Sequence, residues 1–150
     1  MESTIHTEKD LLALRGQPES ARLEFKSSGL LDKPKELTES LSKEISAFAN
    51  SEGGEIVIGI REKKDGKTRV ADDIDEGVDA SQVSVEWLQQ VAQSNVSPYL
   101  SGLRVRRIAL SGSRTGRAAF VIYVPQGFNG ISCERQPLLW KGGVPRPGSS

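Results

Sequence analysis

Hydrophobic positions along the chain follow two periods. Between Lys35 and Asn50 they fall at Leu37, Leu41, Ile45, Phe48 and Ala49, which is one stripe of a helix. Asn50-Ser-Glu-Gly-Gly54 ends that stripe with residues that tolerate the left-handed conformation, so this corner reads as a helix C-cap. It is not a phosphate loop, because such loops follow a strand and open a helix. Ala21 to Lys26 alternates instead, with Leu23 and Phe25 on one face and Arg22, Glu24 and Lys26 on the other: a half-buried strand. Glu55 to Ile60 and Arg117 to Val124 are apolar on both faces, the mark of central strands.

The remaining segments complete the order. Thr7 to Leu14 reads as a short helix stopped near Gly16 and Pro18. Residues 27–34 read as a loop. Arg61 to Lys67 reads as a charged turn returning along Thr68 to Ala71, and residues 72–80 as an acidic loop. Ser81 or Ser84 caps a second amphipathic helix carrying Val85, Leu88 and Val91, closed by Pro98. A hairpin pairs Leu103–Leu110 with Arg117–Val124, and Leu138 to Trp140 forms a last short strand. The fold class predicted is α+β: a mixed β-sheet with two main helices, an N-terminal extension at 1–14 and one domain at 15–150.

At 150 residues, the length suits one domain. No apolar run approaches the roughly 20 residues of a membrane-spanning helix, and the first residues have no signal-peptide character, so a cytoplasmic location is expected. The single Cys133 excludes an internal disulfide, and with only His6 a histidine-rich metal centre is excluded too. The formal net charge is zero, but residues 1–100 carry 12 Lys+Arg against 19 Asp+Glu, whereas residues 101–150 carry 8 against one. That division points to one face built for a polyanion.

Two groups of residues carry candidate chemistry. Glu19 and Glu24 stand around the first strand, the one before it and the other on it, and Glu62 and Asp65 follow the strand ending at Ile60. Carboxylates at strand ends can hold a divalent cation, and an oxygen-only donor set suits Mg²⁺ or Mn²⁺. Lys26 shares the strand face of Glu24. The second group is basic: Arg104, Arg106 and Arg107 on one strand, Arg114 and Arg117 at its hairpin turn, and Lys141 and Arg146 in the tail. Guanidinium forks suit phosphate, so a cationic groove gathered on one side of the hairpin is expected to hold the backbone of RNA or DNA. Tyr99, Phe128 and Trp140 are candidates for base stacking. The residues leave three functions open: nucleic-acid binding, metal-dependent endoribonuclease activity, and a dimerisation or sensor module.

The run Glu19-Ser-Ala-Arg-Leu-Glu24-Phe-Lys26, the helix end Ile45 to Gly54, the strand Ile56-Val-Ile-Gly-Ile60 and the segments Val121–Pro125 and Leu139–Ser150 resemble the Schlafen-type AlbA domain. The resemblance implies a nucleic-acid-binding α+β fold and, in some members, a metal-dependent ribonuclease with an acidic triad. Glu19 and Glu24 match the first two members of that triad. The third is commonly an Asp directly after the last apolar residue of the strand; here that position is Arg61, and the nearest acids are Glu62 and Asp65. The resemblance also implies a homodimer and a further C-terminal effector or regulatory domain.

Overall fold

The Thr7 hydroxyl accepts from the amide of Asp10, whose carboxylate in turn accepts from the amide of Thr7, and this reciprocal cap starts helix α1 (Glu8–Leu12). The computed structural model describes residues 4–127 and the strand at 132–133. Lys141, Arg146, Phe128, Trp140 and the strand expected at Leu138 to Trp140 lie outside the described residues.

After α1 come strand β1 (Leu23–Lys26), a 3-10 helix at Ser28–Asp32, helix α2 (Pro34–Ala49) and strands β2 (Gly54–Ile58), β3 (Ile60–Asp65), β4 (Thr68–Ile74) and β5 (Val78–Asp79). Helix α3 (Val85–Ser94) follows, then β6 (Val96–Ser97), β7 (Arg104–Ala109), β8 (Arg117–Val124) and β9 (Ser132–Cys133). Ser84, not Ser81, caps α3 through the amide of Trp87. The main sheet runs β1-β2-β8-β7, with β1 and β2 parallel and the other pairs antiparallel. It is an α+β fold on a mixed sheet.

Both faces of this sheet are covered, which is why β2 and β8 carry apolar residues without alternation. On one face Leu41 and Ile45 of α2 and Leu88 and Val91 of α3 close over Ile56, Ile58, Phe120 and Ile122. On the other, Leu11 of α1 with Ile60, Ala71 and Ile74 of the β3–β4 hairpin close over Phe25, Val57, Ile108 and Val121. Each buried aliphatic or aromatic side chain contributes about 1.5–3 kcal/mol.

The strand expected at Glu55–Ile60 is divided at Gly59. There the chain leaves the main sheet at φ +130°, passing so near β8 that a Cβ would sit 2.7 Å from Cβ of Ala119. Only glycine fits this crossing. Ile60 then opens the second, two-stranded sheet, and β5 pairs with Ala118 and Arg117 on the stretch of β8 beyond the end of β2. Three expectations change accordingly. Arg61 to Lys67, expected as a turn, is mostly strand β3; residues 72–80 contain the end of β4 and all of β5; residues 27–34 contain a 3-10 helix and the first residue of α2.

Candidate carboxylate site and arginine edge

The segment before β1 runs beside β4. The Ala71 amide donates to the carbonyl of Gln17, the Gly16 amide to that of Ala71, and the Glu19 amide to that of Arg69 at 3.3 Å. Opposite, Glu62 of β3 pairs with Ala71, so Glu19 and Glu62 approach from two sides of β4. A bulge between Arg61 and Glu62 leaves Asp72 without a partner of its own in the ladder, a device that re-aims side chains beside functional sites. Arg61, at the position where the resemblance expects an Asp, pairs with Asp72 through Nε at 3.1 Å. Glu62 shares the face of buried Ile60 and enters a cleft of about 580 Å³ lined also by Glu19, Glu24, Lys26, Arg69 and Asp75. Of the four acids singled out from sequence, Glu19, Glu24 and Glu62 are thus brought together. Asp65 sits at the hairpin end opposite Thr68, outside this cleft.

The carboxyls form a row: Glu44, Glu24, Glu19, Glu62. Burial, then the hydrogen bond to Glu19, then Glu44 push Glu24 up to about 8. Burial also works to raise Glu19, but hydrogen bonds from Glu24, the Phe25 amide (3.2 Å to Oε2) and Glu62 outweigh it, and its carboxyl is held below its ordinary value. Glu62 is raised by burial and by Glu19, against the pull of Arg69, which lies 3.6 Å from Oε1. Glu19 is therefore the carboxyl that ionises most readily, between Glu24, which holds its proton up to about 8, and Glu62, which is raised as well. Lys26 Nζ lies 3.6 Å from Glu24 and 3.4 Å from Glu44. Lys26 and Arg69 together do not neutralise these four carboxyls, and the proton that Glu24 retains makes up part of the difference.

Such a site is short of positive charge, and its donors are all hard oxygens. Oε2 of Glu62 is buried without a hydrogen-bond partner. In donor chemistry the residues fit Mg²⁺ or Mn²⁺, and Glu19, Glu24 and Glu62 are the ones that would hold it. In geometry they stand pairwise along a row: among the described residues no three acidic, histidine or cysteine side chains are already gathered around one point as a metal cage.

Two acids went unnoticed in the sequence. Glu44 on α2 looks like any polar-face residue until α2 docks against β1. Asp75 accepts from the amide and hydroxyl of Ser28 at 2.8 and 2.6 Å and from the Gly77 amide at 2.8 Å, tying the 3-10 helix to the loop after β4.

The hairpin arginines do not gather into one groove. Arg114 donates to the carbonyls of Ile74 and Asp75, and Arg117 to those of Glu76 and Gly77, at 2.6–2.9 Å. These two clamp the acidic loop because carbonyls left outside the ladder there need donors. Arg104 and Arg106 lie on one face of β7 and Arg107 on the other. None of these three pairs with a carboxylate of the described residues.

Among solved structures, the chain is similar to the N-terminal domain of a protein related to the ATP-dependent DNA helicase RecG from Nitrosomonas europaea, with 23% identity, a TM-score of 0.57 and coverage of 97% of this chain and 92% of the other. The DIP2311 protein from Corynebacterium diphtheriae is similar at 17% identity and a TM-score of 0.47, over 83% of this chain and 22% of that one. No curated protein matches. The family model described as Schlafen, AlbA_2 matches residues 19–138, spanning both the carboxylate row and β7. The chain belongs to the Schlafen AlbA_2 family.

Proposed function

We propose that this domain binds nucleic acid, with Arg104, Arg106 and Arg107 holding backbone phosphates. The observation that carries the reading is the set of three guanidinium groups on one sheet edge with no carboxylate partner among the described residues. A phosphate backbone supplies counter-charge for such an edge, its two non-bridging oxygens matching the guanidinium fork. The RecG-related neighbour and the family both support a nucleic-acid partner. Lys141 and Arg146 belong to the same reading. The test is titration of labelled RNA and DNA at two salt concentrations. The double variant Arg104→Ala/Arg106→Ala flattens the log–log salt dependence by about 0.7–0.9 per lost contact, for all sequences alike. No binding at low salt rejects the reading.

The carboxylate row favours a second activity, metal-dependent cleavage of RNA. Glu19, Glu24 and Glu62 would hold Mg²⁺ or Mn²⁺, which when bound polarises a phosphate and acidifies a water. Lys26 would neutralise a phosphate oxygen. Incubation of transfer RNA with Mn²⁺ tests this: cleavage by the native chain that is lost in Glu24→Gln supports it, and cleavage that survives the substitution places the activity elsewhere.

A further inference from the structure

A second cleft opens on the main sheet near β7. It encloses about 390 Å³ and is lined by His6, Arg104, Arg106, Val121 and Tyr123, with Gly102 and Val105 beside them. The ladder sets its layout. Arg104 stands directly across from Tyr123 and Arg106 across from Val121, so both guanidinium groups and the phenol share one face. Val121 is 1% exposed and forms an apolar floor. Arg106 is held in place by one hydrogen bond from Nη1 to the carbonyl of Ile5, 3.1 Å, and Arg104 by one to the carbonyl of Leu103, also 3.1 Å. A guanidinium has five N–H donors, so each keeps most of its donors for a ligand. On the other side of Tyr123 stands Glu55 of β2, so both cations of this face lie on the β7 side of the ring.

Two fixed cations, one aromatic ring and an apolar floor within a space of this size are the complement of a planar ring that carries a phosphate. We propose that this cleft holds one unpaired nucleotide, its base stacked on Tyr123 and its phosphate on Arg104 and Arg106. The inference rests on the nucleic-acid reading above and adds to it a preference for single strands, because a base locked in a duplex has no free face to offer Tyr123.

The test compares a short labelled single-stranded RNA with the duplex of the same sequence, using the whole chain at low salt. Tyr123→Leu is expected to weaken single-strand binding roughly tenfold or more while leaving duplex binding unchanged, and Tyr123→Phe to bind like the native chain, since the ring alone stacks. Because Tyr123 is half-buried, the native protein is also photo-crosslinked to RNA containing 4-thiouridine. A crosslink mapped to Tyr123 supports the proposal; crosslinks only at Tyr99, which is 75% exposed, overturn it. If Tyr123→Leu changes nothing while Arg104→Ala/Arg106→Ala weakens binding, the nucleotide cleft is wrong and the broader reading stands. If neither RNA nor DNA binds the native chain, both fall.

Discussion

Lys26 Nζ lies 3.4 Å from Glu44 Oε2, joining the end of β1 to the third turn of α2. Both side chains are about four-fifths buried, and Glu24 is 3.6 Å from the same ammonium. This contact carries a structural load that a surface ion pair would not. Lys26→Met leaves the row of carboxyls without its nearest cation. The expected loss is about 1–2 kcal/mol at pH 8 and clearly less at pH 5, where Glu24 carries a proton. Urea denaturation at the two pH values measures it; equal losses would reject the electrostatic account.

Glu24 has the opposite sign. Its folded-state value of about 8 lies above its ordinary 4.5, so the native state keeps a proton that the unfolded chain releases. Stability from this group is intact below about pH 4.5 and falls as pH rises towards 8. Glu24→Gln, which is permanently neutral, should therefore stabilise the fold by roughly 1–3 kcal/mol near pH 8.5 and by almost nothing at pH 4.5. A thermal melt series across that range gives the answer, and a variant destabilised throughout would contradict it.

A divalent cation entering the row must displace the proton on Glu24. At pH 7 we expect Mn²⁺ binding to release about one proton, and the melting temperature to rise with Mn²⁺. Calorimetric titration in two buffers of different ionisation enthalpy counts the proton. Binding without proton release would place the ion elsewhere.

Gly59→Ala adds a Cβ at φ +130° that meets Ala119 at 2.7 Å, whereas Gly66→Ala, at φ +65°, meets open space. The first should cost about 3 kcal/mol or more, the second about 1 kcal/mol. Chemical denaturation of the pair separates crowding from backbone strain alone; similar losses would mean the crossing tolerates a side chain.

The arginines should divide by variant. Arg114→Ala leaves the carbonyls of Ile74 and Asp75 without their donor and should cost about 1–3 kcal/mol of stability. Arg107→Ala, on an exposed position of β7, should change stability by less than about 0.5 kcal/mol and act on binding alone. Melting curves and oligonucleotide titrations on the same two proteins test the division.

What could be read from the sequence followed local periodicity. Leu37, Leu41 and Ile45 mark α2 without reference to anything else, and the alternation around Phe25 marks β1. Glu19, Glu24 and Glu62 were reachable because they flank recognisable strands. β3 was not, because the solvated end of its ribbon, Lys63 to Asp65, carries charge on both faces and offers no alternation to find. Arg114 and Arg117 read as free cations because their acceptors are backbone carbonyls about 40 residues away, which carry no side-chain signature. Glu44 is a partner only through the tertiary contact between α2 and β1.

The crossing at Gly59 has one more implication. Glu24 rides on the five-stranded sheet and Glu62 on the two-stranded ribbon, so no single element determines the spacing between them. That spacing is inherited from how Ile60, Ala71 and Ile74 seat the ribbon against Phe25 and Val57. An aliphatic substitution there, though it removes no ionisable group, would detune the acids as surely as replacing one of them.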